Sequence, residues 1–389
     1  MHITKIELKN WLNYRKLKTD VLGERVFIIG PNASGKSNLL DALRFLRDVA
    51  LPAGRKPKGG GLQNAVAERG GLSKLRCLNA RKDPEVRISV ELRDDDGTEW
   101  SYDLGFKGEG KANNRIVVSQ EIVTKNGVEL CNRPNKCDEK DPEQLTQTLI
   151  ELTNANAKFR ELSHFFSETT YLHLVPQLLK YGSKIGGNIV ESDPFGQGFL
   201  QRIAAANGKT RDARLARIQK ALDTVVLQFN QLRFEQDKVS GLYHLEANFK
   251  HWRATGAWQR ENQFSDGTLR LIGLLWSLME GNSLLLLEEP ELSLNEEIVR
   301  HLAKVIHRIQ SQNKSKRQVF ITTHSEALLS DRSIPPEEVL RLITTTDGTE
   351  IKPLDAKEKI MLASGLSASD VLLKSVKSEK AAQLVLSLS

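Results

Sequence analysis

The 389-residue chain carries only three cysteines, Cys77, Cys131 and Cys137. An odd number of widely spaced cysteines is a poor disulfide framework, and the pair at 131 and 137 has no further zinc ligands nearby. Both a stapled secreted domain and a zinc site are therefore disfavoured, and a reduced compartment suits the chain. No apolar run approaches the length of a membrane span, and Met1-His2-Ile3-Thr4-Lys5-Ile6-Glu7 reads as a charged strand instead of a signal peptide. A cytoplasmic location with no membrane partner is expected. The chain also lacks the unbroken heptads of a long coiled-coil arm. From residue 140 to 225, apolar positions such as Leu145, Leu149, Leu152, Phe159, Leu162 and Phe166 recur at helical spacing, but Gly-Gly and Pro interrupt the pattern. A compact helical lid is expected there.

What is present is the composition of an ordinary globular chain. With 39% hydrophobic and 27% charged residues it can build a large core, and its length alone would accommodate two or three domain-sized units. A formal charge of +7 and a pI near 9.1 admit nucleic-acid binding without requiring it. The positive residues are local, in Arg55-Lys56-Pro57-Lys58, along Lys209 to Lys220 and from Arg300 to Arg317. Each segment taken singly reads first as a solvated face. Asp94-Asp95-Asp96-Gly97 and Asn126-Gly127 are hairpin turns between alternating runs, which places an antiparallel sheet beside whatever parallel core exists.

The strongest local signal is Gly30-Pro31-Asn32-Ala33-Ser34-Gly35-Lys36-Ser37. It is preceded by the apolar run Val26-Phe27-Ile28-Ile29 and followed by Asn38 and the helix-favouring Leu39-Leu40-Asp41-Ala42-Leu43-Arg44. Strand, glycine loop and helix arrive in the order a phosphate cradle requires, which makes this a Walker A loop. Backbone N–H groups and the helix N-terminus face the anion, Lys36 adds a point charge against the β and γ oxygens, and Ser37 is placed to ligate Mg²⁺. A second cluster follows the buried run Leu284-Leu285-Leu286-Leu287. Glu288-Glu289-Pro290-Glu291 puts carboxylates at the C-terminal edge of a strand, a Walker B pattern in which Glu288 holds the metal and Glu289 orients and deprotonates the attacking water.

Two further clusters carry a family resemblance. Phe264-Ser265-Asp266-Gly267-Thr268 opens an apolar helix through Leu271, Leu274, Leu275 and Leu278. It resembles the ABC signature motif, in the SDGT form found in prokaryotic AAA-type ATPases related to RecF and SMC heads. Val319-Phe320-Ile321-Thr322-Thr323-His324-Ser325 is similar to the switch region of those proteins, with His324 as γ-phosphate sensor. The opening strand Ile3 to Leu8 with Asn10-Trp11-Leu12-Asn13-Tyr14-Arg15, the Arg69-Gly70-Gly71 element and the tail hairpin around Asp347-Gly348 also resemble that family. Glu288 stands where most ABC heads carry aspartate, and Asn295 where many relatives have histidine or aspartate. Gln63 and Gln120 are the candidates for a Q-loop glutamine. Trp11 and Tyr14 are open to two readings, stacking on adenine or core packing.

The resemblance implies an α/β fold: a P-loop NTPase of ABC ATPase-head type with an antiparallel β subdomain and a compact helical insertion. Its divisions are expected at 1–135, 136–228, 229–354 and a short helical tail 355–389. It implies ATP and Mg²⁺, with Gly30 to Asn38, Ser265, Asp266 and Gly267 at the nucleotide, Ser37 and Glu288 at the metal, and Glu289 and His324 in catalysis. In ABC heads the signature of one subunit closes on the γ-phosphate held by another, so one copy of each motif implies a homodimer. Two functions follow. In one, the chain is the ATPase of a prokaryotic anti-phage system, similar to those of Septu, PARIS and retron-associated systems, and works with a separately encoded effector such as a nuclease. In the other it is a DNA-repair or chromosome-maintenance head that clamps DNA itself. Only 65 residues follow His324, fewer than the Toprim extension of OLD-type and Gabija-type ATPases would need, so a nuclease is expected on another chain.

Overall fold

The computed structural model describes residues 1–52, 59–80, 82–110, 115–182, 193–250, 257–312 and 316–373. The basic segment at 55–58 and the end of the tail lie outside these residues. Six strands form an antiparallel sheet in the order β2-β1-β4-β5-β6-β7: β1 (His2–Trp11), β2 (Tyr14–Lys18), β4 (Val86–Arg93), β5 (Glu99–Gly108), β6 (Ile116–Lys125) and β7 (Val128–Arg133). The hairpin turns expected from sequence are in place. Asn126 and Gly127 both take positive φ, 49° and 75°, the backbone that a two-residue turn between twisted strands demands.

The second sheet runs in the order β15-β14-β3-β13-β12-β8, built from β3 (Arg25–Ile29), β8 (Thr170–Leu172), β12 (Leu285–Glu288), β13 (Val319–Thr322), β14 (Val339–Thr345) and β15 (Gly348–Ile351). All neighbours pair parallel except β14 with β15. Its central strands β3, β12 and β13 are apolar at nearly every position because both faces are covered. Val26, Ile28, Leu286 and Phe320 point into a core shared with the antiparallel sheet and the helix Lys36–Ala50. Phe27, Ile29, Leu285, Leu287 and Ile321 point into a second core, closed by the helices Gly208–Val225, Asp266–Met279 and Glu296–Gln312. A three-stranded antiparallel sheet, β9 (Phe229–Gln236), β10 (Tyr243–Phe249) and β11 (Ala257–Arg260), flanks that second core.

Residues 136–228 contain the expected short helices, and their apolar faces enter both cores: Phe159, Leu162 and Phe166 the first, Phe199, Ile203 and Leu222 the second. The same segment supplies β8, a strand that the helical spacing gave no sign of. It pairs with β12 at Leu286↔Tyr171 and so brings Tyr171 beside the end of that strand.

The basic helix Gly208–Val225 is only in part a solvated face: Lys209, Arg217 and Lys220 are exposed, while Arg211 and Arg214 lie against rings. Arg214 stacks over Trp276 at 5.2 Å and Arg211 over Phe234 at 5.6 Å, while Arg217 donates to Gln312 at 2.6 Å. Arg317 is 2% exposed and donates to the carbonyls of Ser277, Glu280 and Ser283. Burial pushes its pKa down to about 10, and the contacts make it a core cross-link between strand and helix ends.

Candidate functional site at the ends of the parallel strands

The loop after β3 owes its shape to three backbone positions. Ala33 and Gly35 lie in the left-handed region at φ 62° and 88°, and Gly30 has no space for a side chain: a Cβ there would sit 2.4 Å from Ser34 Oγ and 2.9 Å from the Leu342 carbonyl. The Ser34 N–H closes the turn on the Pro31 carbonyl at 3.2 Å. The Lys36 ammonium folds back over the loop and donates to the carbonyls of Gly30 and Pro31 at 3.2 and 3.1 Å. Burial lowers its pKa, opposed by the charges of Glu289, Glu288 and Glu291. Asn32 and Ala33 are exposed at the rim and Asn38 is half-buried one turn into the helix.

The segment after β1 straps this loop from outside. The Tyr14 hydroxyl donates to the Gly35 carbonyl at 2.7 Å and the Trp11 indole N–H to the Asn38 carbonyl at 2.9 Å. Asn13 donates to Thr349 Oγ1 at 2.6 Å and accepts from the Asn38 amide at 2.7 Å. Trp11 and Tyr14 are each 0% exposed, and Trp11 meets Phe45 edge-on at 5.1 Å, so of the two readings packing holds and stacking on adenine does not. Sequence reasoning missed the bracing role of Asn13 and Tyr14. The available signal was that an indole N–H and a phenol in an apolar strand need partners. Behind the helix, Arg69 forms a two-pronged ion pair with Asp41 at 2.8 and 2.9 Å, reaches Asp48 at 2.9 Å and covers the Phe45 ring.

At the end of β12, Glu288 accepts hydrogen bonds on both carboxylate oxygens, from the Ser37 hydroxyl on one and the Tyr171 hydroxyl on the other. Ser37 and Glu288 are hard oxygen donors in direct contact. That set fits Mg²⁺, which keeps waters and phosphate oxygens as its remaining ligands. Among the described residues no three or more His, Cys, Asp or Glu side chains converge as a metal cage, so a cation here would be shared with a bound nucleotide. Glu289 takes φ 44°, ending the strand, with its N–H on the Thr322 carbonyl at 3.1 Å. Its carboxylate lies 3.5 Å from His324 Nε2. Burial first, then Lys36, lower the His324 pKa below its ordinary 6.5, opposed by Glu289, so the imidazole is neutral at pH 7.

Glu291 was quoted in the motif but given no role by sequence reasoning. Its carboxylate accepts from the Thr323 hydroxyl at 2.6 Å and the His324 N–H at 3.3 Å, tying the loop after β12 to the loop after β13. Burial pushes its pKa up.

The structure brings Lys36, Ser37, Glu288, Glu289 and His324 to one edge of the parallel sheet. Ser265, Asp266 and Gly267 are held differently. Ser265 caps its helix by accepting the Thr268 N–H at 3.1 Å, and Asp266 pairs with Lys180 at 2.5 Å and Gln177 at 3.0 Å. Gly267 packs so tightly on the loop after Glu291 that a Cβ would lie 2.5 Å from the Ser293 carbonyl. These side-chain contacts do not run to the phosphate loop. Arg270, one turn further on, donates to the Glu289 carbonyl at 2.9 Å and links the two regions. Neither glutamine candidate reaches the site: Gln63 is fastened to the backbone of Ile116 and Thr146, and Gln120 to Asp103 and Arg87 on the antiparallel sheet. Asn295 caps the helix Glu296–Gln312 by accepting the Glu297 N–H at 2.9 Å.

A parallel sheet with a glycine phosphate loop at the end of β3, acidic residues at the end of β12, the strand β13 that leads to His324 between the two, and an antiparallel sheet packed alongside defines a P-loop NTPase of the ABC ATPase-head type. Solved structures agree on the fold. An Smc head bound to the C-winged helix domain of ScpA aligns with TM-score 0.57 at 15% identity over 92% of this chain and 100% of that one. An Smc head with an extended coiled coil bound to the C-terminal domain of ScpA, derived from Pyrococcus furiosus, aligns with TM-score 0.50 at 11% identity over 93% of this chain and 98% of that one. Residues 25–127 and 138–330, well over half of the chain, match the family described as "AAA domain, putative AbiEii toxin, Type IV TA system", and the chain belongs to that family. Shorter stretches are similar to curated proteins. Over 46 residues the chain is 48% identical to the DNA replication and repair protein RecF of Lactobacillus gasseri, 12% of each chain. Over 44 residues it is 48% identical to the chromosome partition protein Smc of Methanocaldococcus jannaschii, 11% of this chain and 4% of Smc. The matches thus span only a small fraction of either relative's length. Among the described residues no helix is long and apolar enough to cross a membrane.

Proposed function

We propose that this chain is a Mg²⁺-dependent ATP hydrolase that closes as a homodimer around ATP and passes that closure on to a separate effector. Gly30 to Asn38 hold the triphosphate, with the Lys36 ammonium leaving the Gly30 and Pro31 carbonyls for the β and γ oxygens. Ser37 and Glu288 would hold Mg²⁺, which would supply charge neutralisation at the phosphate oxygens. Glu289 takes the proton of the attacking water, and neutral His324, 3.5 Å away, is free to donate a hydrogen bond to the γ-phosphate. Ser265, Asp266 and Gly267 of a second copy complete the anion cage with the amides of their helix N-terminus. The observation that carries this reading is the adjacency of Glu289 and His324 beside the Ser37 and Glu288 pair, at the mouth of the glycine loop.

A defence-type setting draws support from the family description, which names a putative AbiEii toxin of a type IV toxin–antitoxin system, and the separate effector is our own extension of it. A second reading, a repair or chromosome-maintenance head that clamps DNA, draws support from the RecF and Smc stretches. Arg211 and Arg214 are engaged on rings within the chain, whereas Lys209, Arg217 and Lys220 of the same helix remain exposed and available to a phosphate backbone. The test is Glu289→Gln. Loss of a positioned base should slow hydrolysis by ~10² to 10⁴ while ATP stays bound, leaving an ATP-stabilised dimer visible by light scattering. Normal turnover in that variant would overturn the role of Glu289. Salt-sensitive DNA binding by the trapped dimer would favour the clamp.

A further inference from the structure

Glu288 is one methylene longer than the aspartate found at its position in most ABC heads, and the structure shows what holds the longer side chain. In the parallel pairing of β8 with β12, Tyr171 stands opposite Leu286, so its side chain lies on the same sheet face as Glu288 two residues on. That face also receives the helix Lys36–Ala50, which carries Ser37. The phenol crosses the diagonal and donates to one Glu288 oxygen while Ser37 meets the other. The Tyr171 ring is fixed in turn by the Arg44 guanidinium, 5.2 Å from its centroid and two turns beyond Ser37 on that helix, and by packing against the first core. One helix therefore supplies both a donor at the site and the clamp on the residue that orients the site's carboxylate.

We propose that Tyr171 is a positioning residue for Glu288: its hydroxyl occupies one carboxylate oxygen so that the other alone is presented beside Ser37 to a divalent cation. This rests on the reading of Ser37 and Glu288 as the Mg²⁺ ligands. A carboxylate held by an outer partner offers one oxygen in a fixed direction, whereas an unheld glutamate rotates among several rotamers or binds through both oxygens. Removing such a partner typically costs 10-fold to 100-fold in metal affinity. The phenol's hydrogen bond goes to Glu288 and not to the glycine loop, so its proposed part is in orienting the carboxylate, not in gripping the nucleotide.

The experiment is a titration of Mg²⁺ against the full chain with a fluorescent ATP analogue, read as the Mg²⁺ concentration that half-saturates tight binding. Tyr171→Phe keeps the ring under Arg44 and removes only the hydroxyl. It should raise the half-saturating Mg²⁺ about 10-fold or more. Analogue binding in excess EDTA should stay as in the parent, and the thermal midpoint of the nucleotide-free protein should fall by no more than the loss of one hydrogen bond explains. Glu288→Gln is measured alongside. If Glu288→Gln shifts the Mg²⁺ requirement and Tyr171→Phe does not, the positioning role is wrong and the metal site stands. If neither shifts it, the metal reading fails and takes this inference with it. A Tyr171→Phe variant that loses thermal stability with an unchanged Mg²⁺ requirement shows a purely structural tyrosine and also overturns the proposal.

Discussion

The phosphate loop and the signature loop are both helix N-termini, yet the chain treats them in opposite ways. Apart from its exposed rim, the phosphate loop is fastened by its own chain: Asn13 on the Ser34 carbonyl at 3.3 Å, Tyr14 on the Gly35 carbonyl, Leu342 beneath Gly30, and Arg69 behind the helix it opens. Its lysine is turned inward onto carbonyls that a phosphate would replace as partners. The signature loop is anchored from below, by buried Phe264, by Gln177 and Lys180 on Asp266 and by the Ser293 carbonyl against Gly267, while Ser265 at its tip is exposed. A helix N-terminus capped by its own serine and left open to solvent suits an anion that arrives from elsewhere. A loop braced by several parts of its own chain suits an anion the chain keeps for itself. Anion affinity is a common property of helix starts, and in the proposed dimer the surrounding braces would decide which chain supplies the ligand.

The sharpest way to break this comparison is to damage one loop in each of two chains and mix them. Lys36→Ala alone should abolish ATP binding by calorimetry with Mg²⁺ present. Gly267 would be a poor choice for the other loop, because any Cβ there collides with its own chain's Ser293 carbonyl at 2.5 Å. Ser265 is exposed and has room, so Ser265→Arg blocks an approaching partner at the cost of one helix cap, about 1 kcal/mol. Each variant should be inactive by itself. Mixed, they form a dimer with one doubly damaged site and one site built from intact loops, and part of the hydrolysis rate should return. Hydrolysis at the parental rate by Ser265→Arg alone would show that the signature loop completes no site.

How much of this was legible before the structure follows from how local each feature is. The glycine loop, the acidic strand end and the hairpin turn at Asn126-Gly127 are written in contiguous residues, because a left-handed backbone or a strand edge is a property of a few neighbours. The braces are not. Asn13 meets Thr349 across 336 residues and Tyr171 meets Glu288 across 117, and only the folded sheet order brings either pair together. β8 escaped notice because three residues carry no readable period, and the helical spacing on both sides dominated the window. Arg317 read as part of a basic patch because charge is visible in sequence whereas burial on three carbonyls is not.

A smaller effect tests the bracing side of the comparison. Tyr14→Phe removes one hydroxyl and leaves the Gly35 carbonyl without that donor in a site that is 0% exposed at the tyrosine. Loss of a buried hydrogen bond of this kind costs about 1 to 1.5 kcal/mol. The expected result is a lower urea midpoint with an unchanged slope and weaker ATP binding. The equivalent trimming of the signature anchor, Gln177→Ala, should leave ATP binding to the isolated chain as it was. Equal losses of affinity from both would show that the two loops are not braced differently.

The smallest expected effect concerns His324, whose environment joins the two strand-end loops. Its folded pKa lies below the unfolded value of 6.5 because burial and the Lys36 charge disfavour the imidazolium, with Glu289 opposing them. Between the two pKa values the unfolded chain binds the proton and the folded chain does not, so stability rises with pH across that window. The contribution is fully present above about pH 6.5 and is lost as the pH falls through the folded pKa. The side chain is 36% exposed, so solvent screening keeps the slope shallow. Thermal unfolding of the nucleotide-free protein from pH 5 to 8 should show the parent losing more stability on acidification than His324→Asn. The Lys36→Ala background should flatten the parent's curve, since it removes one of the two causes. If His324→Asn instead keeps the parent's full pH slope, the imidazole is not held neutral against Lys36, and the proposed hydrogen bond from a neutral His324 to the γ-phosphate loses its basis.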